Sequence, residues 1–334
     1  MGLLVRLGLR RSMKWEPRTL LDWVLYSPLQ HIVSKVYFLL LFLRGRPFRP
    51  ARNKRPIRVV CISDTHDHTS FPYPVPKGDL LIHAGDMTNS GTAEDIQKQI
   101  DWIAAQPHEH KVVVCGNHDC WFDPRVRRSV DNRPRAKRLD LSGVTWLQGE
   151  MASFEFFGGE RVLNVFGKGD VPFLGEEKSP DASYEYPREK HPWNGIIPRG
   201  TDVLVTHTPP AYHLDLAGLG CRGLMKELWR VKPRLHIFGH VHWGHGRESA
   251  FFDKCQAAYE ALMARPGGGP IWDICTPNWG WVYAVQVLVY GSQAVLFKWL
   301  MQGPGGGEGC LMVNAAMMHG NTGKMENRFE VVDI

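Results

Sequence analysis

The chain has 334 residues, 43% hydrophobic and 22% charged, which is enough for a full core and excludes a wholly disordered polymer. Its seven scattered cysteines include no CxxC pair, so a disulfide-stapled secreted fold is not expected and a reducing, cytoplasmic setting is. The formal charge of +6 is unevenly placed: residues 1–58 carry 13 Lys and Arg against Glu16 and Asp22, leaving a mildly acidic body ill suited to grip nucleic acid through its phosphates.

Residues 1–56 read as a basic, apolar extension. Thr19–Tyr26 and Leu29–Leu43 have helical potential and are separated by Pro28. The longest unbroken apolar run, Val36–Leu43, has eight residues, short of the ~20 that cross a bilayer. No small-residue cleavage site follows it, so secretion is not expected, and Arg6 stands where a myristoylation signal has Ser or Thr. Gly45–Pro56 (GRPFRPARNKRP) is a basic, proline-punctuated linker.

From Ile57 the text changes to short apolar runs that each end in polar residues. Ile57–Ile62, Leu80–His83, Lys111–Cys115, Val203–Thr206 and Leu235–Phe238 read as buried strands. Thr92–Ala105 reads as a helix, with Thr92 and Asp95 placed as in a capping box and Ile96, Ile100 and Ile103 on one face. Strands alternating with helices imply an α/β core, whose sites lie at strand ends. Residues 245–310 read as a helical insertion containing Trp279–Met301, a mostly apolar stretch whose one charge is Lys298. Leu311–Ala315 and Arg328–Val332 read as strands that complete the sheet. One crossing of a bilayer by 279–301 would split that sheet across the membrane, so the segment is expected to pack on the body, pair with Leu29–Leu43 or lie in a membrane interface. Peripheral membrane contact through 19–44 and 279–301, helped by the basic flank, is one expectation; a private helical subdomain is the other.

Five motifs follow the strands in order: Asp64-Thr65-His66, Gly85-Asp86, Gly116-Asn117-His118-Asp119, His207, and Gly239-His240-Val241-His242. Each alone is commonplace. All five on strand ends, in one chain, point to convergent ligands. The series resembles the calcineurin-like metallophosphoesterase superfamily. Gly116–Pro124 (GNHDCWFDP), Pro192–Ile197 (PWNGII), Thr206–Pro210 (THTPP), Lys232–His242 (KPRLHIFGHVH) and Val313-Asn314-Ala315-Ala316 resemble its metallophosphoesterase-domain-containing group, in the larger form found in fungi. The resemblance covers residues 57–244 and 311–334 and omits the extension and the insertion; the loop Lys168–Phe173 departs from shorter relatives.

The resemblance implies a four-layer αββα sandwich, two packed sheets with helices outside. It implies that Asp64, His66 and His242 hold one metal, that Asn117, His207 and His240 hold the other, and that Asp86 bridges them. His118 becomes the catalytic histidine. Imidazoles with hard oxygens and no thiolate suit two divalent ions such as Mn, Fe or Zn. Two dications against Asp64, Asp86 and a hydroxide leave one positive charge, matched to a phosphodiester monoanion. The expected activity is hydrolysis of a phosphate-ester small molecule, a cyclic nucleotide among the candidates, by metal-activated hydroxide. A phosphomonoesterase, a nuclease and a weakly catalytic membrane-associated scaffold of the same fold stay open.

Other polar residues near the motifs have simpler readings. His83 lies inside a strand and reads as a satisfied core histidine. Asp67 and His68 read equally as substrate contacts or solvated loop. Cys115 and Cys120 read as packing residues. Asp119 is a candidate orienting partner for His118, Trp243 a candidate lining of the site, and His213, His236 and His245 have no assigned role.

Overall fold

A computed structural model describes residues 2–50, 54–127, 139–173, 182–302 and 309–334. Linker residues 51–53 and most of the glycine-rich stretch 303–309 lie outside them. The chain divides into two compact units: a sheet unit of residues 50–215, 219–248 and 312–334, and a helical unit of residues 1–49, 216–218 and 249–311.

In the sheet unit each apolar run becomes a strand, and further strands without such a run join them. In chain order they are β1 (Arg58–Ile62), β2 (Leu80–His83), β3 (His110–Val113), β4 (Thr145–Trp146), β5 (Glu150–Phe156), β6 (Arg161–Lys168), β7 (Val171–Pro172), β8 (Glu185–Tyr186), β9 (Val203–Thr206), β10 (Leu235–Phe238), β11 (Gly246–Ala250), β12 (Cys310–Asn314) and β13 (Glu330–Asp333). One sheet has the order β13-β1-β2-β3-β4 and the other β11-β12-β10-β9-β6-β5; β7 and β8 form a separate small pair. Strands β1 to β4 are parallel, as are β6, β9 and β10, while β13 and β5 run antiparallel at or near the edges. Every residue of β2, β9 and β10 is buried. Continuous apolar runs without alternation are what parallel strands covered on both faces require.

Thr92 caps the helix Ala93–Ala104 by accepting from the Asp95 N–H, and Ile96, Ile100 and Ile103 bury against Val60, Leu81 and Val113. Because the central strands are parallel, all their C-terminal ends fall on one edge of each sheet. The polar clusters follow those ends. The fold is thus the mixed α/β architecture expected, with one hairpin the sequence did not announce and one boundary to correct. The β5–β6 hairpin gave no clear signal, since its burial alternates irregularly. Strand β11, sequence GRESA, falls inside the stretch assigned to the helical insertion yet belongs to the six-stranded sheet. With a single apolar residue it had no run to announce it, so the helical part of that stretch begins only after Ala250.

In the helical unit Thr19 and Asp22 form a reciprocal capping box at Leu20–Tyr26, and Ser27 caps Pro28–Arg44 with Pro28 in the first turn. Between them the chain bends by 119°. The buried Asp273 carboxylate stabilises that bend, accepting from the Ser27 hydroxyl and the Leu29 N–H. Helix Trp279–Phe297 runs alongside Pro28–Arg44 in the same direction: Leu29 lies over Gly280, Leu40 over Gly291, and Trp299 Nε1 donates to the Leu43 carbonyl at 3.1 Å. Tyr259, on helix Lys254–Met263, stacks on Tyr37 with ring centroids 3.9 Å apart.

Candidate metal centre

Strands β1, β2, β3, β9 and β10 deliver five loops, and those after β1, β2 and β10 are bent sharply. Asp64, His66, Asp86 and His240 adopt φ of 54°, 44°, 54° and 65°, a left-handed conformation that costs energy in non-glycine residues and gathers at functional sites. Neighbouring glycines are required by space: a Cβ on Gly116 would lie 2.0 Å from Asp86 Oδ1, and one on Gly239 2.0 Å from Asp64 Oδ2.

Two groups of ligand atoms result. One atom each from Asp64, His66 and His242 lie within 4.8 Å of one another, and so do atoms from Asp86, His207 and His240. His242 Nε2 is 3.1 Å from Asp64 Oδ1 and 3.4 Å from His66 Nε2. Asp86 faces both groups, its Oδ2 lying 3.2 Å from His207 Nε2 and 4.0 Å from His66 Nε2. Its other oxygen accepts from the His118 N–H at 2.9 Å. The carboxylate of Asp64 accepts from the His240 N–H, 3.1 Å from each oxygen.

Backbone carbonyls orient the rings. His207 Nδ1 is 2.8 Å from the Ala84 carbonyl and His242 Nδ1 is 2.8 Å from the Gly320 carbonyl. An Nδ1–H donated there leaves each Nε2 lone pair free for a ligand. The Nε2 atoms of His207 and His240 and the Oδ1 of Asn117 are buried without a hydrogen bond, the short His207–Asp86 approach missing hydrogen-bond alignment. Such orphaned polar atoms cost about 1–3 kcal/mol each. Lone pairs of nitrogen and oxygen, grouped around two buried carboxylates with no thiolate, fit a pair of borderline divalent cations.

Electrostatics separate these groups in the way functional sites do. Burial alone would raise Asp64 and Asp86, but facing imidazoles hold both well below the ordinary carboxylate range. His207, despite burial, is raised to about 9 by Asp86 and Asp64, whereas burial pushes His240 down to about 3. His118 is raised, first by the charge of Asp86. Its ring lies 5.2 Å from that of His66, and its Nδ1 is 3.0 Å from the Asn89 carbonyl.

Neighbouring residues sort into supports. Asp119 bonds the main-chain N–H groups of Met87, Thr88 and Gly116 and the Thr88 hydroxyl, tying two site loops together. It is therefore a loop clamp, and the partner of the His118 ring is the Asn89 carbonyl. Asn89 is itself held by Asp67, through its N–H and its side-chain amide. His83 is a satisfied core residue: Nε2 meets the Thr65 hydroxyl at 2.9 Å, and Nδ1 accepts from the Gly85 N–H. His236 meets the Thr206 hydroxyl, His213 pairs with Glu248 and His245 lies near Glu330. Trp243 stacks edgewise on His319 beside Gly320. Asn89 and Gly320 escaped the sequence because they act through carbonyls that any residue supplies.

Residues 57–244 match the calcineurin-like phosphoesterase family. A UPF0046 protein of Caenorhabditis elegans is 37% identical over 253 residues, covering 65% of this chain and 85% of that protein. Human metallophosphoesterase domain-containing protein 1 is 33% identical over 208 residues, 57% of this chain and 61% of its own length. A protein of Emericella nidulans named probable rhamnogalacturonate lyase C is 36% identical over 299 residues, 88% of this chain but 26% of that protein. The chain thus spans about a quarter of the last protein and under two thirds of the human one.

Proposed function

This chain belongs to the calcineurin-like phosphoesterase family, and from that membership we propose that it hydrolyses phosphate esters, small phosphodiesters above all, at a centre of two divalent cations. The observation that carries the reading is the meeting of both ligand groups at one buried carboxylate, Asp86. Asp64, His66 and His242 would hold one cation and Asn117, His207 and His240 the other, with Asp86 shared. Mn, Fe or Zn suits this donor set. When bound, such a pair acidifies water and offsets charge on the phosphoryl oxygens.

The chain's own residues supply the proton chemistry. Nδ1 of His118 donates to the Asn89 carbonyl, so Nε2 is the atom left to protonate the departing oxygen. Asp86 accepts the His118 main-chain N–H at 2.9 Å and so holds that ring beside the site. Two dications held by Asp64 and Asp86 with a hydroxide would leave one positive charge, matched to a diester monoanion, of which a cyclic nucleotide is one example. Nucleic acid is the weaker alternative, because the sheet unit balances its Lys and Arg against equal numbers of Asp and Glu.

Chromogenic phosphate mono- and diesters with added Mn test the reading. The diester is expected to turn over faster, and Asp86→Asn and His118→Ala are expected to lose about 100-fold or more. Equal rates in all three proteins would contradict it.

A further inference from the structure

The helical unit contains 12 Lys and Arg against 6 Asp and Glu, so the chain's entire formal +6 resides there. Its two long parallel helices each leave an apolar stripe uncovered. Ile32, Leu39 and Phe42 recur at helical intervals on Pro28–Arg44, as do Val285, Leu288 and Leu296 on Trp279–Phe297, and all six are between 54% and 80% exposed. Lys35, also exposed, lies between Ile32 and Leu39. Exposed Trp279 and Trp299 mark the two ends of the second stripe. Soluble monomers rarely leave so continuous an apolar surface open, and tryptophan at its ends is the side chain that favours a bilayer interface.

Residues 279–301 are long and apolar enough to cross a membrane, and only 17% of their apolar window is buried. Connectivity nevertheless forbids a crossing. Strand β11 leads into these helices, β12 leads out of them, and both belong to one sheet. Only an even number of crossings would keep that sheet whole, and the helices that precede Trp279–Phe297 after β11, Lys254–Met263 and Gly269–Cys275, have 10 and 7 residues, about half or less of what a bilayer demands.

We propose that the helical unit is a monotopic membrane anchor, its two helices lying in the plane of an anionic bilayer surface. The stripes enter the acyl boundary, Lys35 reaches back along its methylene stem to the headgroups, and the remaining basic residues are attracted by anionic lipid. This inference is independent of the phosphoesterase reading.

The full chain sedimented with vesicles of phosphatidylcholine, with and without phosphatidylserine, tests it. Binding is expected to be at least about tenfold tighter to the anionic vesicles and to weaken with salt. Tryptophan emission is expected to shift to the blue on binding and to be quenched by brominated lipid. Phe42→Glu combined with Leu288→Glu is expected to stay in the supernatant while keeping its circular dichroism and phosphoesterase rate. A wild-type chain that ignores both vesicles, pelleting untouched by the substitutions, or a soluble dimer that the substitutions split would each overturn the proposal, the last because a second copy would then cover the stripes.

Discussion

Gly116 and Gly239 lie against the carboxylates of Asp86 and Asp64 more closely than any side chain permits. Gly116→Ala or Gly239→Ala must therefore displace a ligand, and an ångström of displacement costs about 100-fold in catalysis. Each alanine variant is expected to lose about that much activity and to bind Mn more weakly, read by kinetics and by metal titration; wild-type behaviour in both would show that the carboxylates are placed by something else. The ligand candidates were legible because motifs that are commonplace singly follow one apolar run after another. Asn89 and Gly320 were not, since a carbonyl has no sequence signature. Asp119 was visible but its role was not: adjacency suggested His118, whereas its bonds go to the main chain of two loops.

Elements built on apolar runs were read to within a residue or two, as with Leu80–His83, Val203–Thr206 and Leu235–Phe238. Strand β11 and the hairpin β5–β6 were illegible because partner strands, not their own composition, hold them in place. Helix pairing was likewise invisible, since the close approach at Gly291 depends on what faces it. A Cβ there would lie 2.4 Å from Leu40 Cδ1 and 3.1 Å from Cys255 Sγ. Gly291→Val is expected to push the parallel helices apart at a cost of about 1–3 kcal/mol. Faster hydrogen exchange across residues 254–297, with the phosphoesterase rate unchanged, is the expected result; unaltered exchange would mean that the helices do not touch there.

At the scale of the whole molecule, residues 178 positions apart, Asp64 and His242, meet at 3.1 Å. That convergence was expected from the five strand-end motifs, and its division into two ligand sets through the family resemblance; spacing along the chain does not say which strand ends share an edge, and the parallel order of the two sheets does. The helical unit had no such guide: its apolar stretches read equally as packing or as membrane contact, and the structure pairs Pro28–Arg44 with Trp279–Phe297 while leaving an apolar stripe exposed on each. The sheet unit's cage for two cations is the claim on which the functional account rests. Calorimetric titration of Mn into the metal-stripped full chain measures it directly. Two ions per chain are expected, with Asp86→Asn weakening both and His207→Ala weakening one. A chain that binds no ion, or whose stoichiometry and affinities ignore Asp86→Asn, would contradict it.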